Sequence, residues 1–326
     1  MKETIKKVFP ISILLVLSIE YTRDYFRYLR HSGVLAFFLA GESKLLGSII
    51  ADYHVVEKGL TMPETRLGFG KDKVLKLVAL CEKYIKKYDK TNKQLIQAVA
   101  VLEEYEEFHV ERNHALDPGL LARIKALKLD VDSLCPSKQV KVSAEAYFNS
   151  ANASFDQFSR SRRSVRNYTT QEVSREALIN AVDLARSAPS SCNRQASRVY
   201  IYEDKETIKK ILELQGGNRG FGHLANKVLI VTAELGASHG VFERNMAYVD
   251  GGIFAMGVLN GLHFNKILAC PLNCYFSSWT DKKLRKICGI KNSEIFVVMI
   301  SCGHAPENFE IAQSYRYPVE EMITFK

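Results

Sequence analysis

The sequence lacks the residue spacings that mark several common protein classes. No cysteine pair has CxxC spacing and no histidine pair has HExxH spacing, so no metal site is predicted. The seven cysteines are an odd number spread over a long chain, which favours reduced thiols in a cytoplasmic protein over a disulfide framework. No GxGxxG motif follows a predicted strand, so a separate nicotinamide-binding domain is not predicted.

The sequence also has no apolar run long enough to span a bilayer. The run from Val8 to Ile19 follows Lys2, Lys6 and Lys7, but a membrane span needs about 20 apolar residues. No small-residue cleavage site follows the run, so a signal peptide is not predicted either. We expect a buried helix here, with weak contact to a membrane surface as the alternative.

The composition is that of a packed protein with a basic balance. Hydrophobic residues make up 47% of the 326 residues and charged residues 25%, which excludes a disordered or collagen-like chain. The length allows two or three domains. The net charge of +9 suggests anionic partners, which include phosphate ligands, nucleic acid and a membrane surface.

Hydrophobic periodicity divides the chain into two domains. Residues 1–150 are predicted to be mostly helical, with amphipathic helices over 71–88 and 92–109. Residues 52–60 and 66–70 are predicted to form a structural loop, with a contribution to the rim of an active site as the alternative. Residues 151–326 mix helices over 172–187 and 244–264 with strands over 199–202, 227–232 and 295–300. The boundary is placed near the Cys135-Pro136-Ser137 break.

The densest chemical signal is the arginine segment, residues 159–168, which reads SRSRRSVRNY. Arginine presents paired donors that match phosphate oxygens, and it stays charged. These residues alone leave three interpretations open: a phosphate site, a solvated basic patch or a nucleic-acid contact. Nucleic acid is not favoured, because the sequence has no helix-turn-helix, zinc-finger spacing or aromatic RNA-binding signature.

Three further segments carry polar or small residues at chain breaks. The serine loop, residues 188–195 (APSSCNRQ), places two carboxamides between a predicted helix and strand, although an ordinary connection is the alternative. Residues 269–273 (ACPLN) follow a helix with small residues, which permit close approach of another helix or of a second subunit. The tail contains Tyr315-Arg316-Tyr317-Pro318. A glycine-rich segment, residues 216–222, is either a loop near a substrate mouth or a plain connector.

Taken together and in this order, the arginine segment and the other three segments resemble the nitroreductase family of flavoproteins. The motifs are RRSVRxY, then PSSxNxQ, then the Arg-x-Pro-x-Glu-Glu tail, and the resemblance covers roughly residues 155–326. The sequence Pro-Leu-Asn at 271–273 is closer to the branch that includes iodotyrosine deiodinase. Residues 1–150 resemble, more faintly, an extension of bacterial members associated with surface-polysaccharide clusters.

The resemblance implies an α+β fold with a central mixed β-sheet flanked by helices, working as an intertwined homodimer that binds FMN at the subunit interface. By motif position, Arg166 would be a catalytic cation near flavin N1 and O2, and the backbone around Cys270 would approach N5. The implied cofactor-binding residues are Arg162, Arg163, Ser164, Arg166, Pro189, Ser190, Asn193, Pro271, Leu272 and Arg316.

The resemblance also implies an activity. The chain would be an FMN-dependent oxidoreductase that uses NADH or NADPH in a ping-pong, two-electron reduction of a small nitroaromatic or quinone-like substrate. The alternative is a flavin-binding or flavin-less interaction protein in a surface-polysaccharide pathway. The chain departs from the family pattern at Ala196, Ser197 and Ser314, and Cys270 stands where the deiodinase branch has threonine, a better hydrogen-bond donor.

Overall fold

The computed structural model of the protein describes residues 2–35, 41–127 and 138–326. Contacts divide the chain into two compact units. The sheet unit comprises residues 1–20 and 141–310, and the helical unit comprises residues 21–140 and 311–326. The division after Val140 falls shortly before the predicted domain boundary at residue 150, while the predicted break at Cys135-Pro136-Ser137 lies outside the described residues.

The helical unit takes its architecture from four amphipathic helices and ends in a short helical turn of the tail. These elements are α2 (Glu42–Leu60), α3 (Lys71–Ile85), α4 (Lys93–Val110), α5 (Pro118–Ala126) and α12 (Val319–Met322). Helix α3 buries Val74, Leu77, Val78 and Cys81 completely, at the three- and four-residue steps expected of a helix face. Asn92 and Asp117 cap α4 and α5 through side-chain bonds to backbone N–H groups.

The loop predicted over residues 52–60 is wrong, because these residues form the second half of α2. The polar side chains of this segment suggested a loop, but Asp52 finds charged partners on a neighbouring helix. Asp52 is buried and pairs with the ammonium groups of Lys73 and Lys76 at 2.9 and 2.7 Å. Polarity along a helix is therefore a poor loop signal where neighbouring helices supply counter-charges.

The sheet unit combines helices on both flanks with a four-stranded sheet. Its helices are α6 (Ala144–Phe148), α7 (Phe155–Ser161), α8 (Arg175–Ala185), α9 (Lys205–Gln215), α10 (Met246–Phe264) and α11 (Ser278–Cys288). Its main strands are β2 (Ser197–Tyr202), β3 (Lys227–Glu234), β4 (Leu268–Leu272) and β5 (Glu294–Gly303). A separate pair joins β1 (Val140–Ser143) to β6 (Asn308–Ile311). The expected α+β class and the three predicted strands are confirmed.

The strand order in the main sheet is β2-β3-β5-β4, and each of the three pairings is antiparallel. The expectation of a mixed sheet is therefore not met by the described strands. Short β-branched runs identify strands but carry no information about their direction, which depends on how the connections return across the sheet. Strand β4 lies at one end of this order.

Helix α10 packs on one face of the sheet and against α8. Its buried residues Val258 and Leu262 share a core with Leu229 and Ile300 of the sheet. Gly261 permits the close approach of α8, because a Cβ atom there would lie 2.3 Å from the carbonyl oxygen of Ala181. Of the two predicted uses for small residues in this helix, close packing against another helix is confirmed.

The first helix is α1 (Lys2–His31), and over residues 12–19 most apolar side chains of the run are exposed rather than buried as expected. Leu14, Leu15 and Ile19 are each more than half exposed. Over residues 12–31, the half-buried positions of the helix are taken by Leu17, Glu20, Asp24 and Leu29. No helix in the described ranges is long and apolar enough to cross a bilayer.

Candidate functional site

The arginine segment leaves α7 and runs in extended conformation beside the outer edge of β4. Val165 N donates to the carbonyl oxygen of Ala269 at 3.1 Å, and Thr169 N donates to that of His304 at 2.9 Å. The buried hydroxyl of Tyr168 donates to Val165 O at 2.8 Å. These bonds hold the backbone of the segment in one position against the sheet.

A glycine at the end of β5 makes room for this arrangement. A Cβ atom on Gly303 would lie 2.6 Å from Cβ of Tyr168, which no real pair of side chains tolerates. Glycine at the end of β5 thus has a structural reason. Burial raises the pKa of the Tyr168 hydroxyl well above its ordinary value, so the group stays protonated and remains a donor.

The segment brings two of the predicted clusters together. The bond from Val165 to Ala269 sets the arginines beside Cys270, Pro271 and Leu272 of β4. The Cys270 side chain is almost completely buried, and its thiol makes a long contact of 3.7 Å with Pro271 O. Because this thiol is buried, a molecule bound beside β4 would contact the backbone of Cys270 rather than its sulfur.

Arg166 is the most unusual residue of the site. Its side chain is only 8% exposed, and its Nη1 donates to Ser164 O at 3.4 Å. The guanidinium carbon lies 6.0 Å from the ring centre of Phe221. No carboxylate in the described part of the chain pairs with it. Because a buried cation without a counter-charge is costly, the position favours an anionic ligand.

Phe221 belongs to the glycine-rich segment at 216–222, so this segment lies beside the site and is not a remote connector. Gln215, which ends α9, donates from Nε2 to the carbonyl oxygen of Asn273 at 3.1 Å. Both ends of the segment are thus tied to the neighbourhood of Arg166 and β4. Sequence analysis did not identify Phe221, and only its place within the glycine-rich run could have indicated it.

Arg163 is fixed through its backbone. Its amide donates to the hydroxyl oxygen of Tyr147 at 3.0 Å, and the same hydroxyl lies 3.0 Å from its carbonyl oxygen. Its guanidinium Nη1 donates to Arg160 O at 2.6 Å. Burial raises the pKa of Tyr147, which keeps its hydroxyl protonated. Tyr147 was not predicted as part of the site.

His263 of α10 supports the end of α7, immediately before Arg162. Ser161 Oγ donates to Phe158 O at 2.9 Å, so it accepts a bond from Nε2–H of His263 at 2.7 Å. Burial, with a smaller contribution from the charge of Arg162, lowers the pKa of His263 to about 4. The imidazole is therefore neutral near pH 7, and it holds the helix end from which the arginine segment starts.

The serine loop is held by charged groups on neighbouring elements. Asp250 of α10 accepts from Ser191 N at 3.0 Å, and Glu243 accepts two bonds from Arg194 at 2.9 and 3.0 Å. The two bonds from Arg194 are the main reason that the pKa of Glu243 is lowered to about 2, so the Arg194–Glu243 pair stays ionised. Neither carboxylate was predicted, although a single acid within the apolar sequence of α10 is a detectable signal.

Three non-glycine residues of the serine loop adopt left-handed backbone conformations. Cys192, Asn193 and Gln195 have φ angles of 51°, 55° and 49°. Such conformations are unfavourable for residues with side chains and persist where the surroundings fix them. Here the bonds from Ser191 to Asp250 and from Gln195 N to Ser190 Oγ, at 3.0 Å, fix the loop.

The serine loop borders a cavity of about 470 Å³ between α8, β2 and α10. Predicted residues Pro189 and Ser190 line it, and Asn193 is exposed outside it. The remaining walls are mostly apolar and include Ile179, Val199 and Phe254. None of the arginines of the arginine segment lines this cavity, so the structure places the predicted cofactor-binding residues in two groups.

The last predicted residue, Arg316, belongs to the helical unit. Its Nη1 donates to Ser314 O at 2.7 Å, and its side chain is exposed. Its role as a phosphate ligand stays a prediction. In the described part of the chain, no group of three or more His, Cys, Asp or Glu side chains could hold a metal ion.

Comparisons with known proteins bear on the same region. Residues 159–218 match the model of the Nitroreductase family, which confirms the resemblance over the arginine segment and the serine loop. The FMN reductase [NAD(P)H] of Bacillus subtilis is 47% identical over 55 residues, which are 17% of this chain and 22% of that protein. The match therefore spans about a fifth of that relative's length.

Solved structures resemble the chain more distantly. The FMN-dependent nitroreductase of Clostridium difficile is 22% identical, with a TM-score of 0.41 over 46% of this chain and 87% of its own. A proposed nitroreductase of Exiguobacterium sibiricum in complex with FMN is 18% identical, with a TM-score of 0.47 over 53% and 98%. At these identities and scores, neither structure bears on the activity of this chain.

The buried, neutral His263 predicts a specific pH dependence of stability. Its folded-state pKa of about 4 lies below the ordinary value near 6.5, so the unfolded chain binds this proton first. The free energy of unfolding should therefore fall as the pH drops from about 6.5 towards 4. We expect His263→Gln to reduce this slope in urea titrations at several pH values.

The exposed His239 of the same unit gives a matched control. His239→Gln should keep the slope of the unsubstituted protein. Equal slopes in the unsubstituted protein and His263→Gln would show that His263 is not the buried neutral group described above.

Proposed function

We propose that this chain is an FMN-dependent oxidoreductase that takes electrons from NADH or NADPH and reduces a small nitroaromatic or quinone-like substrate. The observation that carries the proposal is the buried guanidinium of Arg166, which has no carboxylate partner in the described residues and lies beside an edge strand. The family match over residues 159–218 and the local identity to an FMN reductase support it.

The residues present fit the two charged parts of FMN. A phosphate monoester needs several fixed donors, and Arg162, Arg163 and Ser164 are adjacent on a backbone held by Tyr147 and β4. Arg166 would bind the part of the flavin ring that carries negative charge when reduced. When bound, FMN supplies the redox chemistry, and the protein supplies binding, orientation and electrostatics.

The other predicted residues would shape the site without taking part as acids or bases. Cys270, Pro271 and Leu272 would line the flavin through their backbone, because the Cys270 thiol is buried. Pro189, Ser190 and Asn193 would contribute the face on which nicotinamide and then the substrate stack in turn. One site that serves both substrates gives ping-pong kinetics, which is part of this proposal.

A shared site would explain why the predicted residues form two groups within one chain. No arginine of the arginine segment lines the cavity at Pro189 and Ser190, so a complete site would take one group from each of two subunits. The outward face of α10 supports a homodimer, because Val249, Ile253 and Met256 are between 43% and 58% exposed. A helix that is apolar on all sides is normally covered on all sides.

The cysteines support a cytoplasmic location for this reaction. The six described cysteines, which exclude Cys135, form no disulfide, and four of them are buried. Free thiols are usual where glutathione and thioredoxin keep cysteines reduced.

Replacing Arg166 tests the proposed cofactor site. We expect Arg166→Gln to weaken FMN binding by about 1.5–3 kcal/mol, the range for hydrogen bonds to charged groups. Equilibrium titration with FMN, followed by flavin fluorescence, measures the loss. Arg160→Gln is the control, since Arg160 is an exposed arginine of the same segment. Equal affinity in the two variants would remove Arg166 from the cofactor site.

Sedimentation equilibrium tests the shared site. The protein should be a dimer, and Ile253→Glu with Met256→Glu should shift it towards monomer because charges would enter an apolar interface. Leu235→Glu is a matched control, because Leu235 is 42% exposed and Ile253 43%. A monomer that still binds FMN with full affinity would contradict the two-subunit arrangement.

A further inference from the structure

Helix α1 carries an outward surface that neither core accounts for. In its described part, two stripes of large apolar side chains face solvent at helical spacing. One stripe is formed by Tyr21, Tyr25 and Tyr28, and the other by Leu15, Ile19 and Phe26. Each of these six side chains is more than half exposed. A contiguous apolar surface of this kind marks an interaction site rather than chance exposure.

Over residues 12–31, the exposed charged side chains of the same helix are all basic. Exposed Arg23, Arg27 and Arg30 follow one another at four- and three-residue steps, so they form a third stripe along one edge of the apolar surface. Within residues 12–31, the acidic residues Glu20 and Asp24 occupy half-buried positions, each three residues before an arginine of the stripe, so they lie along its inner edge. Over residues 12–31, the outward surface of α1 is therefore apolar and basic, with no exposed acidic side chain.

An ion pair fixes which side of the helix faces the protein. The carboxylate of Glu20 lies 3.2 Å from a guanidinium nitrogen of Arg244, and both side chains are largely buried. Rotating the helix to bury its apolar stripes would break this pair and expose the acidic side. The orientation is thus favoured by electrostatics even though it leaves aromatic residues in water.

We propose that α1 lies in the surface of an anionic lipid bilayer, with its apolar stripes in the headgroup region and its arginine stripe against lipid phosphates. The pattern is that of an interfacial helix: a wide apolar face rich in aromatic residues, bordered by basic residues. Tyrosine is well suited to this depth, because its ring is apolar and its hydroxyl remains hydrated. A second protein copy offers no comparable partner for three arginines, since the same surface carries no carboxylate. This proposal does not depend on the redox function.

Vesicle flotation of the full-length protein tests it. We expect binding to vesicles of phosphatidylglycerol mixed with phosphatidylcholine, weak binding to pure phosphatidylcholine, and a loss of binding as salt is raised. Leu15→Ser with Phe26→Ser should lower the partition coefficient about tenfold or more, because both apolar contacts disappear. Arg27→Gln with Arg30→Gln should lower it about 30-fold on the anionic vesicles alone, because two charges are removed at about 1 kcal/mol each.

A matched variant separates a specific surface from general stickiness. Phe242 is 75% exposed on a different part of the sheet unit, so Phe242→Ser should bind vesicles like the unsubstituted protein. Circular dichroism of each variant establishes that the fold is retained. Equal binding to anionic and neutral vesicles, or no binding to either, would overturn the proposal. So would self-association in solution that the Leu15 and Phe26 substitutions abolish, which would assign the surface to a second copy.

Discussion

Burying the positive charge of Arg166 without a carboxylate beside it is the constraint on which the candidate site depends. The backbone around it is pinned on two sides, by the bond from Val165 to Ala269 and by the hydroxyl of Tyr168. The backbone that carries the guanidinium is therefore held in place before any ligand arrives. Such preorganisation lowers the cost of binding an anion, because little reordering remains to be done.

Contacts beyond Arg166 fix the other parts of the candidate site in the same way. Gly303 leaves space for Tyr168, His263 supports the end of α7, and Asp250 fixes the serine loop in a conformation that its residues would not adopt alone. These contacts come from elements far apart in sequence. The two polar residues of α10 named here, His263 and Asp250, thus position both the arginine segment and the serine loop, although the helix is largely apolar.

Sequence patterns identified the arginine segment, the serine loop and three of the strands, because each has a strong local signature. They missed β4, since Pro271 within it reads as a break. Proline is tolerated there because β4 lies at the end of the strand order. They also misjudged residues 52–60, where Asp52 finds its lysine partners on another helix. Residues such as His263 and Phe221 gain their roles only through tertiary contacts, which no local pattern records.

For the apolar run near the N-terminus, the prediction of burial was wrong in the opposite direction, because its side chains are exposed. Its hydrophobicity suggested burial, but Glu20 turns the other side of the helix towards the protein through its pair with Arg244. One ion pair can thus decide which face of an amphipathic helix is presented outward. The exposed face is then available to bind a partner, and the hydrophobicity of the sequence alone does not identify that partner.

The most direct test of the account is an absorbance spectrum of the purified protein, reconstituted with FMN and then titrated anaerobically with NADH and with NADPH. The account predicts bound flavin whose visible bands bleach when one of the two donors is added and return when a quinone is supplied. A protein that binds no flavin after reconstitution would contradict it, and would leave the buried Arg166 without the ligand proposed for it.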